Sequence, residues 1–386
     1  MGGAAGMTTS QTRFTRRRFL STAVSTGAML FAPQVVPSSA LGRDGKSAPS
    51  ERVVMGGIGI GNRGEYDLGI FLGQPCVQFV AASDVRAARR TAVKELVDSF
   101  YGNSDCATYR DMADLLARDD IEACLIATGE RWHAEASIAT ARAGKDIFCE
   151  TPCSMTIEES RRLADQIARH RRVFQAGTVR RNVANFSVAQ ELVRTGRLGQ
   201  LRAVHANTSD PTTRAVWLAA QPEPSPNEVD WNLWLGPAPW RPYNEAYLRG
   251  RWRGYSDFHG GGLLEWGSHT VDLCQRANGA DDTAPIQYEP DGTTVTAVYG
   301  NGVRLVLRDQ GWLGLGSCSV RFEGDEGWVE TGDSGRVATH PANLAAPREI
   351  GTVDQPDPTA HIVEFLECVR SRGEPAGNAR VGSQSH

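Results

Sequence analysis

Short apolar runs alternate with amphipathic stretches over the first half of the chain. Residues 53–58, 77–83, 121–128, 146–150 and 173–177 are largely apolar at successive positions, the pattern of strands buried on both faces. Between them, residues 87–100 read as a helix, and another starts near His133. Thr156-Ile157-Glu158-Glu159 is a capping box, in which a hydroxyl and a carboxylate satisfy each other's free backbone N–H groups. It opens a helix to about His170 with Ile157, Leu163, Ala164 and Ile167 on one face. Strands alternating with helices predict an α/β, doubly wound parallel sheet.

After residue 177 the period changes. Residues 185–195 read as a helix ending near Gly196, and 201–207 as a strand. Residues 210–255 hold Trp217, Trp231, Trp234, Trp240, Tyr243, Tyr247 and Trp252 among many prolines, which predicts a long structured loop region. A helix from about Gly267 precedes four short runs at 294–299, 304–309, 317–323 and 327–331, with Asn301-Gly302 as a hairpin signal. Residues 361–370 read as a final helix. The second half is therefore expected to be α+β, with a large, mainly antiparallel, open-faced sheet. A second copy of the chain would cover that face, as a dimer or tetramer. The expected organisation is a leader over 1–40, a linker over 41–51, a nucleotide-binding domain over 52–177 and an α+β domain over 178–386.

Charge and composition narrow the partners. The chain has 386 residues and a formal charge of −4, and residues 1–40 carry four arginines and no acid. The remainder is more acidic still, which argues against nucleic acid. Thr15-Arg16-Arg17-Arg18-Phe19-Leu20 is a twin-arginine signature, followed by a weakly apolar run and by small residues at Ser38-Ser39-Ala40. It predicts export of a folded protein to the periplasm or beyond, without a membrane anchor in the mature form. The eight cysteines form no metal-knuckle spacing, so neither a disulfide framework nor a metal site is expected.

Two stretches carry chemistry. Gly59-Ile60-Gly61-Asn62-Arg63-Gly64 follows an apolar strand and opens a helix, the context in which such a turn cradles a pyrophosphate. Asp84 ends the next strand, twenty residues after Gly64, where a carboxylate binds the ribose hydroxyls and repels a 2′-phosphate. NAD is the cofactor this predicts. In the second stretch, Gly260-Gly261-Gly262 precedes Glu265, His269 and Asp272. Spacings of four and three put these residues on one helix face, where a carboxylate would set the histidine's tautomer. Between the two stretches, Phe148-Cys149-Glu150-Thr151-Pro152 leaves the sheet at the seam of the halves.

From about Val53 onward the chain resembles the Gfo/Idh/MocA family of sugar and inositol oxidoreductases. The likeness is carried by Gly59–Gly64, Asp84, Thr128 with Trp132-His133, Glu150-Thr151-Pro152, Arg180-Arg181, Trp234-Leu235-Gly236-Pro237 and the Gly260–Asp272 stretch. The resemblance implies bound NAD, hydride exchange at a carbohydrate carbon, and oligomers built through the second sheet. It also implies cofactor contacts from Gly59, Gly61, Asn62, Arg63, Gly64 and Asp84, with Thr128, Trp132, His133 and Glu150 toward the nicotinamide. Arg181, Trp234 and Tyr243 would then meet the substrate. The family's usual motif is Glu-Lys-Pro, with Lys as acid/base; here Thr151 stands in its place, and Glu265 stands where Asp is usual. A threonine hydroxyl hydrogen-bonds but takes no proton at neutral pH, so the base would be His269, aided by Glu265 or Asp272. Relatives usually run some tens of residues beyond the match to Val381-Gly382-Ser383, so the domain reads as truncated and a helix packing back on the first domain as missing.

The expected function is an NAD-dependent oxidoreductase acting on a sugar, polyol or sugar derivative, with the cofactor held through turnover. The alternatives are a glycosidase that needs NAD and works through a transient keto-sugar, and a sugar-binding relative without catalysis.

Overall fold

The computed structural model describes residues 48–208, 214, 216–292, 294–344 and 357–386. The expected leader and most of the expected linker lie outside the described residues. The chain divides into two units, Met1–Glu51 and Arg52–His386. Of the first, residues 48–51 are described, and Pro49–Glu51 form a 3-10 turn.

The second unit begins with the sheet that the alternation predicts. Strands β1 (Val53–Ile58), β2 (Val77–Ser83), β3 (Ala107–Tyr109), β4 (Ala123–Ile126), β5 (Asp146–Cys149) and β6 (Phe174–Ala176) run parallel in the order β3-β2-β1-β4-β5-β6. Helices α1 (Asn62–Leu72), α2 (Ala87–Tyr101), α3 (Met112–Leu116), α4 (Glu130–Arg142) and α5 (Ile157–His170) lie between them in the chain. Every residue of β4 and β5 is buried, which is why these strands read as unbroken apolar runs. One core holds Met55, Phe71, Phe79 and Phe148, and another holds Ile58, Ile126, Ile147 and Phe174. The strand order reverses between β1 and β4, and such a reversal opens a crevice at the strands' carboxyl ends.

Helix α6 (Ala184–Arg194) leads into the second sheet. Its strands are β7 (Leu201–Asn207), β8 (Gln287–Asp291), β9 (Thr294–Val298), β10 (Arg304–Arg308), β11 (Val320–Gly324), β12 (Trp328–Thr331) and β13 (Val337–His340). They lie in the order β13-β12-β11-β7-β10-β9-β8, antiparallel except where β7 meets β10. In this sheet the edge strands β8 and β13 are the two that the sequence pattern misses, as it misses the edge strand β3 of the first. Every residue of β8 is exposed, so no alternation marks it, and Pro290 is tolerated because the strand has an unpaired edge.

Between β7 and β8 come α7 (Trp231–Leu235) and α8 (Gly261–Ala277). The loop region around α7 folds on its own aromatic cluster, with Trp231 stacked on Trp234 at 4.6 Å and Trp217 on Tyr255 at 4.4 Å between ring centres. Helix α8 packs against β7 and β11. The last helices, α9 (Thr359–Ser371) and α10 (Ala379–Ser385), return to the first sheet. Ile362, Phe365, Leu366 and Val369 of α9 share the core of Phe71 and Phe148. Among the described residues, no helix is long and apolar enough to cross a membrane.

Candidate active site

A cleft of about 400 Å³ opens beyond β1, β2 and β4. Its floor is the glycine turn. Gly59 sits at φ +68°, and a Cβ there would run into Thr128, so the turn requires glycine. Nothing lies within 4 Å of where a Cβ on Gly61 would be, so that side is open to a ligand. Gly64 is not part of the cleft wall, and its bare Cα lets α1 pack on Ala127. Helix α1 has no side-chain cap, so its first N–H groups still want an acceptor. At the other end Asp84 is 9% exposed, and its Oδ1 accepts the Arg86 N–H at 2.8 Å. Burial raises its pKa and the Arg86 guanidinium opposes that. This arrangement fits a dinucleotide: an open phosphate cradle at one end and a carboxylate for hydroxyl groups at the other.

The loop region of the second half roofs the cleft through Leu233, Trp234, Tyr247, Leu248 and Trp252. It is fastened at both ends. Beside Asp84, the Asp230 N–H donates to Val85 O at 3.1 Å, the Ala87 N–H to Glu228 O at 2.9 Å, and the Arg86 guanidinium to Leu248 O at 3.0 Å. At the opposite end, Arg131 Nε and Nη2 donate to Trp234 O at 3.0 and 2.5 Å, and Trp132 Nε1 donates to Leu233 O at 2.9 Å. The Arg131 guanidinium also lies 3.7 Å over the Trp234 ring. Arg86 and Arg131 escape sequence reasoning, since each meets a partner at least a hundred residues away with no local pattern to announce it.

Thr151 and His269 meet directly. Thr151 Oγ1 and His269 Nε2 are 3.2 Å apart, across a separation of 118 residues. They touch each other, and neither belongs to the cleft wall described above. The Nδ1 of His269 is buried and without a hydrogen-bond partner. Burial first, then the charges of Arg180 and Arg63, hold the His269 pKa well below its ordinary value.

The carboxylates expected beside His269 are engaged elsewhere. Glu265 Oε2 is 3.0 Å from His259 Nε2, and Arg253 Nε donates to Glu265 Oε1 at 2.9 Å. Burial would raise the pKa of Glu265, but these two bonds hold it below the ordinary value. Asp272 takes the fork of Arg181, with Nε at 2.6 Å and Nη2 at 2.9 Å. Helical spacing does place these acids near His269 in projection, but better partners on neighbouring segments draw the side chains away.

Several other expected contacts are also corrected. Arg181 is 4% exposed and committed to Asp272, Asp281 and Ala376 O, which leaves it no reach toward a substrate. The Tyr243 ring packs edge-on against Trp231 within the aromatic cluster and does not line the cleft. His133 is 2% exposed, with Nδ1 2.6 Å from Pro152 O and Nε2 3.1 Å from Thr128 O. It ties the loops after β4 and β5 together, and burial lowers its pKa. Glu150 lies beside Gly177 and 3.4 Å from Arg63 Nε, and Arg63 Nη2 also reaches the buried Asp67 at 3.0 Å. Burial and the neighbouring Glu150 push Asp67 up to about 9. Asn62 Oδ1 accepts from Arg89 at 2.5 Å. Gly59, Gly61, Asn62, Arg63, Asp84, Thr128, Trp132 and Trp234 do line the cleft.

A doubly wound domain with a roofed dinucleotide cleft, followed by a mixed sheet, defines a two-part nucleotide-binding protein. The family model described as "Oxidoreductase family, NAD-binding Rossmann fold" matches residues 52–178, and "Oxidoreductase family, C-terminal alpha/beta domain" matches 187–386. The chain therefore belongs to the Gfo/Idh/MocA oxidoreductase family. It is 32% identical over 162 residues to inositol 2-dehydrogenase 3 of Saccharopolyspora erythraea, covering 41% of this chain and 46% of that protein. It is also 32% identical over 184 residues to a glycosyl hydrolase family 109 protein of the same organism, covering 44% of this chain and 40% of that one. The chain thus spans less than half the length of these curated relatives. Among solved structures, myo-inositol 2-dehydrogenase from Lactobacillus plantarum superposes with a TM-score of 0.61 at 19% identity, covering 86% of this chain and 94% of that one. The WlbA dehydrogenase from Bordetella pertussis, in complex with NADH and UDP-GlcNAcA, gives 0.59 at 17% identity, covering 86% and 93%. At these identities the likeness shows the fold.

Proposed function

We propose that the protein exchanges hydride between NAD and a carbinol carbon of a sugar, polyol or sugar derivative. The carrying observation is the cleft itself, an uncapped helix start over an open glycine turn with Asp84 at the far end. Gly59, Gly61, Asn62 and Arg63 would hold the pyrophosphate and Asp84 the adenine ribose. When bound, the nicotinamide supplies the hydride acceptor. The proton of the substrate hydroxyl goes to His269 Nδ1, the ring nitrogen without a partner, while the Thr151 hydroxyl at Nε2 holds the ring in place. Four arginines lie around Asp84, and each already has an acceptor: Arg86 on Leu248 O, Arg89 on Asn62, Arg90 on Asp84 O and Arg110 beside Asp230. That favours NAD over NADP, since no cation there waits for a 2′-phosphate.

Purified protein mixed with a panel of sugars and polyols should accumulate NADH with some member of the panel. Asp84→Ala should weaken NAD binding and narrow the preference over NADP, whereas equal native affinity for both nucleotides would sink the NAD assignment. The likeness to a family 109 glycosyl hydrolase supports a second reading, in which a glycoside releases its aglycone with no net NADH. Aglycone release without NADH would decide for that reading. NAD binding with neither product would decide for a binding protein.

Location and assembly belong to the same reading. The twin-arginine leader supports export, and replacing Arg16 and Arg17 by Lys should strand the protein in the cytoplasm in a fractionation experiment. The exposed edge strand β8 supports a homo-oligomer through the second sheet, which sedimentation of the purified chain would test.

A further inference from the structure

Helix α8 carries His269, yet its own start supplies no cap. Gly260, Gly261 and Gly262 open it, Gly261 lies at φ +74°, and no side-chain cap bond forms at its N-terminus. Holding a glycine run in one conformation costs entropy, and first-turn N–H groups need acceptors. The acceptors come from outside the helix. Glu130, the first residue of α4, takes the Gly260 N–H on Oε2 at 2.7 Å. His259 Nδ1 takes the Gly261 N–H at 2.9 Å and the Gly254 N–H at 3.2 Å. One carboxylate therefore serves the starts of two helices, where negative charge is favoured.

These bonds settle the histidine's tautomer. Nδ1 accepts twice, so the ring proton sits on Nε2. It points between two carboxylates, Glu265 Oε2 at 3.0 Å and Glu130 Oε1 at 3.4 Å. Glu130 and His259 are 4% and 5% exposed. The outer oxygen of Glu265 holds Arg253, which lines the cleft. Burial pushes Glu130 up to about 7, against the pull of His259 and the Gly260 N–H. The ligand atoms of the three residues lie within 4.8 Å of one another, close enough for a metal ion. The tautomer speaks against one. A metal on Nε2 would move the proton to Nδ1, where two N–H groups already point.

We infer that Glu130, His259 and Glu265 are positioning residues, a proton-bridged brace that joins α4 to the start of α8 and so sets His269 against Thr151. The inference rests on the reading of His269 as the base. Glu130→Ala removes the acceptor of the Gly260 N–H, and Glu130→Gln keeps one. His259→Asn keeps an acceptor near Nδ1 but no longer reaches the carboxylates. The experiment measures kcat, KM and NADH affinity, and the titration of His269 by NMR on histidine-labelled full-length protein. Glu130→Ala and His259→Asn should lower kcat about ten-fold or more and move the His269 titration, with NADH affinity within about two-fold. Glu130→Gln should regain most of the loss. Near-native kcat with an unmoved His269 titration in both variants would overturn the brace. So would a loss that follows melting temperature and NADH affinity alone, or stoichiometric binding of added Zn²⁺ or Mn²⁺ that raises kcat. Should the native protein oxidise no carbohydrate, the functional reading fails, while the NMR titration still decides the brace.

Discussion

His269 combines two properties a base needs, a free ring nitrogen at neutral pH and a fixed orientation. Burial and the charges of Arg180 and Arg63 keep it neutral well below the ordinary histidine value of about 6.5. The acid limb of kcat/KM against pH should therefore lie below pH 6.5, and a limb above 7 would assign the base to another group. His269→Ala should abolish turnover and leave NAD bound, because the glycine turn and Asp84 are untouched. Thr151→Ala should cost about 1 kcal/mol, the worth of one neutral hydrogen bond. Steady-state rates with a working substrate decide the order, and a Thr151→Ala more damaging than His269→Ala would reverse the roles. Both residues stood out in the sequence, one just beyond β5 and the other on a glycine-led helix, but their direct contact did not. The partners of Glu265, Asp272 and Arg181 were not. Spacing says which side of a helix a side chain leaves from, and nothing of which neighbour receives it.

At the scale of elements, local chemistry was read well and long-range fastening was not. Half of the capping box at Thr156 forms as expected, with Glu159 N–H on the Thr156 hydroxyl at 3.1 Å, while the Glu159 carboxylate takes the N–H of Met155, one residue before the cap, at 2.8 Å. Ile157, placed by periodicity on the buried face of that helix, is 73% exposed. The long aromatic loop was expected as a loop, but its role as a roof depends on Arg131 and Trp132 capping the last carbonyls of α7. Removing that fastening should free the nucleotide. Arg131→Ala should speed NADH dissociation about ten-fold or more, since a tenfold change corresponds to roughly 1.4 kcal/mol and the fork makes two bonds. Stopped-flow displacement of NADH measures it, and an unchanged rate would remove the roof from any part in retention.

At the scale of the whole molecule, acid should weaken the fold. His361 is fully buried, with Nε2 2.7 Å from Ala176 O, and burial lowers its pKa to about 4. In the unfolded chain the same group titrates near 6.5, so between these values the unfolded state binds a proton that the folded state refuses. Stability is therefore level above about pH 6.5 and falls as pH drops toward 4, by on the order of 2 kcal/mol between pH 7 and pH 5. Urea unfolding at the two pH values tests the sign, and equal stability would show that His361 is not kept neutral by the fold.

The return of α9 to the first sheet bears on how the protein is made. Phe365 lies 5.8 Å from Phe148 and 6.3 Å from Phe71, ring to ring, so a helix some two hundred residues downstream completes the core of the first sheet. The ribosome delivers residues 52–177 long before it delivers 359–371. Until then Phe71 and Phe148 lack the cover of Phe365, and the nucleotide half waits, unfinished, for Thr359–Ser371. A nascent chain stalled short of residue 357 should remain open to protease within residues 52–177, and NAD should protect it only once Thr359–Ser371 has left the exit tunnel.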